Sequence, residues 1–259
     1  MSNKGILLGK GQYGQVKKHS NGCVVKTLFT GQDGVLAPLE VDILRRFRHP
    51  NLLHAEKIQV AFGRSKDYVD LFLPQGYPLP LVKRKGYSLA NLLWQLGNGL
   101  AFLHQHNVVH LDVDPSNVLS FGDGTYRLID FSLSRKVDGL PRKEVLSTCR
   151  LTVHTSRPPE LFVKNRKSGY YHATFASDIW SLGLLFLRLA ANKISLYYEG
   201  NESEQYYLFK KKIPGHLWKD DVDIDAIDTD LIDLITKMLN WSPRQRPDIK
   251  SVLSHAYFK

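Results

Sequence analysis

Three polar side chains near the middle of the chain have the types and the spacing that phosphoryl transfer needs. Asp112 is followed five residues later by Asn117, and Asp130 comes thirteen residues after Asn117. One carboxylate can orient an attacking hydroxyl, while an amide and a second carboxylate can hold Mg²⁺ on nucleotide phosphates. Asp112 is therefore a candidate catalytic group, and Asn117 and Asp130 are candidate metal ligands.

The segment between Asn117 and Asp130 predicts how these groups come together. Two apolar runs, 118–121 and 126–129, flank the turn Gly122-Asp123-Gly124. This pattern is typical of a β-hairpin. Because a hairpin returns the chain to its starting point, we expect Asn117 and Asp130 at the two ends of one short ribbon, close enough to share ions.

A glycine-rich segment near the start of the chain is a second candidate site for phosphate. Its three glycines are Gly9, Gly11 and Gly14. They would let the backbone approach phosphates without Cβ clashes. A dinucleotide-binding fold uses the same spacing but needs a helix directly after the glycines. Here the β-prone Val16 follows, and Asn21-Gly22 marks a hairpin before Lys26. Residues 5–28 therefore predict two or three strands and argue against a dinucleotide fold.

The segments between the glycines and the catalytic stretch predict the elements that position them. Leu39 to Phe47 has helical spacing and carries Glu40, while Tyr68 to Leu73 predicts a strand. The composition of Pro74 to Pro78 is typical of a connector. Ser88 to Gln105 predicts a strong amphipathic helix, since its leucines recur every three or four residues.

Taken in order, these motifs resemble those of the eukaryotic protein kinases. The matching segments are Gly9-x-Gly11-x-x-Gly14, Lys26, Glu40, His110-Leu111-Asp112, Asn117, Asp130-Phe131-Ser132, Pro158-Pro159-Glu160, Asp178-Ile179-Trp180 and Arg246. The resemblance covers essentially the whole chain. It implies an α+β, two-lobed protein-kinase-like fold in a single domain, 1–259. The small β-rich N-lobe would span about 1–74, the hinge about 74–80 and the larger helical C-lobe about 81–259.

The resemblance also implies an activity and a role for each residue. A kinase of this kind transfers the γ-phosphate of ATP, with magnesium (Mg²⁺), to Ser or Thr of a protein substrate. Lys26 would hold the α- and β-phosphates, and Glu40 would orient Lys26. Asp112 would act as base or hydroxyl orienter, and Asn117 with Asp130 would bind Mg²⁺. The residues implied to bind ATP are Gly9, Gly11, Gly14, Val16 and Lys26. Arg246 would pair with Glu160 in a structural role.

Four positions depart from the family pattern. They are Leu111 for an arginine that binds an activation-segment phosphate, Val153 for a threonine, Ser132 for a glycine, and Asp114 for a lysine that touches the γ-phosphate. Thr152 is next to Val153, and a one-residue shift could restore the threonine. Asp114 weighs most, because phosphoryl transfer is helped by cations near the equatorial oxygens. The Asp114 carboxylate would repel these phosphate oxygens by up to ~4 kcal/mol at about 4 Å and an effective dielectric of about 20.

These departures keep an alternative open. The chain could be a pseudokinase, a nucleotide-binding or scaffolding module with little or no phosphotransfer. All five expected residues, Lys26, Glu40, Asp112, Asn117 and Asp130, are present, which favours an enzyme weakened by Asp114. A small-molecule phosphotransferase is disfavoured by Pro158-Pro159-Glu160 and by Trp180.

Charge bounds the class of partner. The 259 residues carry a net charge of +10, while residues 220–233 hold seven Asp and no Lys or Arg. The basic remainder would attract an acidic protein substrate, and we expect a monomer with no specific nucleic-acid partner. No stretch has the ~18 uninterrupted apolar residues of a membrane span. Two widely spaced cysteines, Cys23 and Cys149, and a start without an apolar signal core predict free thiols in an intracellular protein.

Overall fold

The computed structural model describes residues 5–11, 14–19, 22–29, 38–61, 68–79, 88–137, 144–147, 155–191, 201–221 and 223–259. Several residues discussed above lie outside these ranges, namely Asn21, Cys149, Thr152 and Val153. The prediction of free thiols stays a prediction, because Cys149 lies outside the described residues. No helix among the described residues is long and apolar enough to cross a bilayer.

An antiparallel five-stranded sheet forms the first part of the molecule. Its strands are β1 (Ile6–Gly11), β2 (Gly14–Lys18), β3 (Val24–Phe29), β4 (Lys57–Ala61) and β5 (Tyr68–Leu73). The spatial order is β1-β2-β3-β5-β4. Three strands therefore lie in the region where two or three were predicted, and β5 has the predicted bounds. Helix α1 (Pro38–Arg46) falls between β3 and β4 in the chain and confirms the predicted helix.

Short strands surround the predicted catalytic stretch. They are β6 (Tyr77–Pro78), β7 (Val108–Val109), β8 (Val118–Ser120), β9 (Tyr126–Leu128), β10 (Arg135–Lys136), β11 (Val145–Ser147) and β12 (Tyr171–Ala173). Strands β8 and β9 form the predicted hairpin, with Val118 opposite Leu128. The connector contributes β6, which adds a third strand beside β8. Strand β10 pairs with β7, and β11 pairs with β12.

Among the described residues, five α-helices follow in the second part of the chain. They are α2 (Leu89–Gln105), α3 (Phe175–Ala190), α4 (Glu202–Lys212), α5 (Thr229–Met238) and α6 (Ile249–Leu253). Helix α2 has the predicted extent, and Ser88 caps its start by accepting from the Asn91 N–H at 3.2 Å. Helix α3 begins at Phe175, where Thr174 and Ser177 form a capping box.

Helix α3 lies at the centre of the helical region. Most of its residues are buried around its whole circumference, including Trp180 and Phe186. A helix that is apolar all round is stable only when other elements surround it. Helices α2 and α5 supply contacts to it, and one hydrophobic core joins the α3 side chains to those of the sheet, such as Leu71. The β-rich first part and the helical second part confirm the α+β, two-lobed fold.

Candidate active site

Lys26 lies between two carboxylates contributed by distant parts of the chain. Its ammonium is 2.5 Å from Glu40 Oε1 and 3.0 Å from Asp130 Oδ1. Strand β3 carries Lys26, while the first turn of α1 carries Glu40, whose side chain is buried. Burial by itself lowers the pKa of Lys26, but Glu40 and Asp130 outweigh it and the pKa lies above its ordinary value. Lys26 is therefore a fixed cation at the sheet side of the site.

Asp130 is aimed at Lys26 by an unusual backbone and by a buried neighbour. Its φ is 59°, in the left-handed region that few L-residues adopt. Phe131 is fully buried and its ring lies 5.3 Å from that of His110, which anchors the segment in the core. Although burial raises the pKa of Asp130, Lys26 and the hydrogen bonds at Ser132 bring it below its ordinary value.

The serine that replaces the family's glycine is accommodated without backbone strain. Among the described non-glycine residues, φ is positive only at Asn107, Leu111, Asp130 and His216. Ser132 therefore needs none of the freedom that glycine supplies. Its N–H instead donates to Asp130 Oδ1 at 3.3 Å. This departure leaves the candidate metal ligand in place.

Asp112 and Asn117 are held together in the loop that the hairpin closes. The Asn117 amide donates to the Asp112 Oδ2 at 2.6 Å and to its carbonyl at 3.0 Å. The Asp112 side chain is largely buried, and its Oδ1 has no hydrogen-bond partner among the described residues. Burial, with smaller contributions from Asp130 and Asp114, raises the pKa of Asp112 to about 6, against the opposing hydrogen bond from Asn117. Asp112 is thus a basic carboxylate with an oxygen still able to accept a proton.

The hairpin brings the two candidate metal ligands together, as its pattern predicted. The Ile129 N–H donates to the Asn117 carbonyl at 3.0 Å, so Asp130 follows directly beside Asn117. Amide and carboxylate oxygens are the ligands that Mg²⁺ prefers. The described residues contain no cluster of three or more His, Cys, Asp or Glu that could hold a metal. Mg²⁺ needs none here, since it keeps several waters and takes phosphate oxygens as further ligands.

The glycine-rich hairpin forms the roof of a cleft of about 410 Å³ that Lys26 and Asp130 also line. Its lining includes Gly9, Gly14, Val16, Lys26, Leu28, Glu40 and Asp130. A Cβ on Gly9 would meet nothing within 4 Å, so the backbone there is open to an occupant. A Cβ on Gly14 would lie 2.1 Å from the Thr27 carbonyl, so the β2–β3 pairing itself requires this glycine. Gly11 pairs with Gly14 at the end of β1. Apolar walls, the lysines Lys10 and Lys26, and carboxylate oxygens together suit a nucleotide with Mg²⁺.

Asp178 positions the catalytic loop, a role that the sequence reasoning missed. Its two carboxylate oxygens accept from the backbone N–H groups of His110 and Leu111, each at 2.8 Å. His104 adds a contact at 2.9 Å from its Nε2. These bonds hold Leu111 at a φ of 65°, a conformation that is costly for a bulky residue. A lone carboxylate in the first turn of an apolar helix was the available signal, because a buried charge needs partners.

Leu111 enters a small apolar cluster in place of the family's arginine. The cluster, hereafter the Leu111 cluster, comprises Val109, Leu111, Val137, Leu161, Tyr171 and Ala173. Val109 and Leu111 come from β7 and the loop after it, and Tyr171 and Ala173 from β12. Val137 lies in the first part of the activation segment, residues 130–160, and Leu161 directly follows its end. Beside it, β11 pairs with β12, and His172 contacts Glu144 and Ser168 at 2.9 and 2.6 Å. Apolar packing and side-chain hydrogen bonds thus hold the described parts of the segment.

The implied structural pair between Glu160 and Arg246 is present. Both Arg246 Nη atoms donate to the Glu160 carboxylate at 2.8 Å, a bidentate geometry. The guanidinium also lies 4.9 Å from the ring of Trp180. This pair links the end of the activation segment to the helical core, away from Lys26 and Asp112.

Comparisons with known proteins agree with this geometry. The protein kinase domain family matches residues 3–258. Cell division control protein 2 homolog 3 of Trypanosoma brucei brucei is a relative, 26% identical over 291 residues that cover 99% of this chain and 91% of that protein. Because the family match extends over nearly the whole chain, the chain belongs to the protein kinase family.

Proposed function

We propose that this kinase transfers the γ-phosphate of ATP, with Mg²⁺, to serine or threonine of a protein substrate. The observation that carries the proposal is the contact of Lys26 with both Glu40 and Asp130. Three groups from separate elements meet there, at the point where nucleotide phosphates must be held. Lys26 would bind the α- and β-phosphates, and Glu40 would fix its position.

The helical side of the cleft would supply the acceptor chemistry. Asp112 would orient the hydroxyl and take its proton on Oδ1, the oxygen that has no partner in the structure. Asn117 and Asp130 would hold Mg²⁺, which supplies charge neutralisation on the phosphates when bound. The roof of the cleft, with Gly9, Gly11, Gly14 and Val16, would cover the nucleotide.

The lobe division proposed for this activity places the hinge at about residues 74–80. The N-lobe, about 1–74, would contain the sheet, and the C-lobe, about 81–259, would contain the catalytic loop and the helices. A protein substrate suits the basic charge of the chain outside residues 220–233. We expect the kinase to act as a monomer.

The test is transfer of radiolabelled phosphate from ATP to generic acidic and basic carrier proteins. Asp112→Asn should abolish transfer while leaving nucleotide affinity largely intact, because it removes proton acceptance but no phosphate contact. Phosphoamino acid analysis of the product should show phosphoserine or phosphothreonine. Transfer that survives Asp112→Asn in a contaminant-free preparation contradicts the mechanism, and phosphotyrosine as the product contradicts the specificity.

The pseudokinase alternative is favoured by one observation, the carboxylate of Asp114 in the loop that carries Asp112. In this alternative the protein is a nucleotide-binding or scaffolding module that transfers little or no phosphate. Thermal unfolding with millimolar ATP and Mg²⁺ tests the nucleotide binding that the kinase needs. Saturation a hundredfold above the dissociation constant stabilises the folded state by ~2.7 kcal/mol. A shift with no transfer would favour a nucleotide-binding pseudokinase, and no shift would contradict the kinase and leave the scaffolding module.

A further inference from the structure

Asp114 is fixed in place by the turn that follows it. It precedes the short 3-10 turn Pro115–Asn117 as its N-cap. Its Oδ1 accepts from the Ser116 N–H at 3.0 Å and from the Ser116 hydroxyl at 2.7 Å. An N-cap of this kind stabilises the start of the turn. These two hydrogen bonds fix the orientation of the Asp114 carboxylate, which lies two residues after Asp112 in the chain.

The second oxygen of Asp114 faces a cation from another element. Arg188 Nη1 lies 3.7 Å from Asp114 Oδ2, and the two side chains are 30% and 13% exposed. Arg188 belongs to the last turn of the buried helix α3, so its backbone position is rigid. A charge pair that is partly withdrawn from water is screened less than an exposed one. The family has a lysine in this loop; here Asp114 stands in the loop and the positive charge beside it belongs to Arg188 of α3.

We propose that Arg188 is a positioning residue for phosphotransfer, holding Asp114 by its second oxygen and offsetting its charge at the acceptor side of the cleft. The inference rests on the proposed function, since it assigns a role within that reaction. It explains how a carboxylate can occupy a position where the chemistry favours a cation: the loop carries the anion, and α3 carries its counter-charge.

The role follows from where charge moves during the reaction. The acceptor oxygen forms a bond to the γ-phosphorus while the bond from that phosphorus to the β–γ bridging oxygen breaks, and the electron pair leaves with ADP. The acceptor proton passes to Asp112. The transferred phosphoryl group moves towards the acceptor side in the transition state, so an Asp114 that has lost the charge of Arg188 would oppose the transition state more than nucleotide binding. Loss of Arg188 should therefore lower kcat and leave the KM for ATP nearly unchanged.

A double-mutant cycle in the full chain tests this assignment. Arg188→Met removes the cation and keeps an apolar stem, and Asp114→Asn removes the anion while its side-chain oxygen can still cap the turn. We expect Arg188→Met alone to lower kcat about tenfold, a coupling within the range for residues in contact. In the Asp114→Asn background the same change should have no effect. Arg188→Lys should retain most of the activity, because it restores the charge.

The controls separate this inference from a general loss of stability and from failure of the proposed function. Lys237→Met removes the cation of an exposed pair with Asp233 on α5 and should leave kcat unchanged. An equal loss of kcat from Arg188→Met with and without Asp114 overturns the inference, and so does a loss confined to the KM for ATP. Both results require an active parent and leave the proposed function standing. A parent whose transfer equals that of Asp112→Asn overturns the proposed function, and this inference with it.

Discussion

The two sides of the cleft solve the same electrostatic problem differently. On the sheet side, Lys26 contacts Glu40 and Asp130 directly, so every charge has an opposite charge within 3.0 Å. On the helical side, Leu111 has replaced an arginine with apolar packing, and the charge of Asp114 is met by Arg188 from α3. The groups implied to touch the nucleotide therefore match the family pattern, whereas Leu111 and Asp114, on either side of Asp112, depart from it.

This difference has a physical origin. Nucleotide phosphates carry fixed charges, so the groups that bind them must match in sign and position. The groups around the catalytic loop mainly hold backbone in place, and an apolar contact can do that as well as an ion pair. Substitutions of Lys26, Glu40 or Asp130 should therefore lower activity more than substitutions at Leu111 or in the activation segment.

Lys26→Met gives the largest expected effect in this comparison. It should lower kcat/KM at least about a hundredfold and reduce the stabilisation by ATP and Mg²⁺, because the phosphates lose their cation. The binding loss should be smaller than the catalytic loss. Lys17→Met on the neighbouring strand β2 is the matched control and should behave as the parent does. A Lys26→Met variant with parental turnover would contradict the division between the two sides.

The acid limb of the pH profile gives the next largest effect. Asp112 can accept a proton only when ionised, and its pKa is raised to about 6. We therefore expect kcat/KM to rise with pH through about 6 and to fall about tenfold per pH unit below it. A cation bound beside Asp112 favours the ionised form, so the limb of kcat should lie at lower pH than that of kcat/KM. A kcat/KM that stays flat down to pH 5 contradicts Asp112 as the proton acceptor.

Leu111→Arg tests whether the Leu111 cluster holds the activation segment, through the free energy of unfolding. Leu111 is 1% exposed inside the Leu111 cluster, so an arginine there would be a buried charge without an evident partner. The free energy of unfolding should fall by on the order of 3 kcal/mol, measured by urea denaturation. Leu146→Arg, on the activation segment but 47% exposed, should change the free energy of unfolding by less than about 0.5 kcal/mol. Equal effects at the two positions would mean that the cluster does not hold the segment.

Sequence reasoning predicted the sheet side almost completely and the helical side in part. Hairpins, amphipathic spacing and the order of motifs are local signals, so β1 to β3, α1, α2 and the β8–β9 hairpin could be predicted. The contacts of Asp178 with the catalytic loop and of Arg188 with Asp114 join residues more than sixty positions apart. No periodicity encodes such pairs.

The smallest expected effect concerns phosphorylation of the activation segment. Where the family's arginine would grip a phosphate, Leu111 is buried among apolar side chains and has no group that could bind one. Alanine at Ser147, Thr148 or Thr152 should therefore change kcat/KM by less than about twofold, since no charge-assisted contact would be lost. The measurement is phosphate transfer by each folded variant. His172→Gln is the comparison variant, because it removes an ionisable partner of Glu144 beside the β11–β12 pairing. A tenfold loss confined to Thr148→Ala would show that another basic residue, such as Arg135, grips a phosphate after all. Both sides of the cleft would then rely on direct contacts between opposite charges, and an arginine at another position would take the role of the family's arginine.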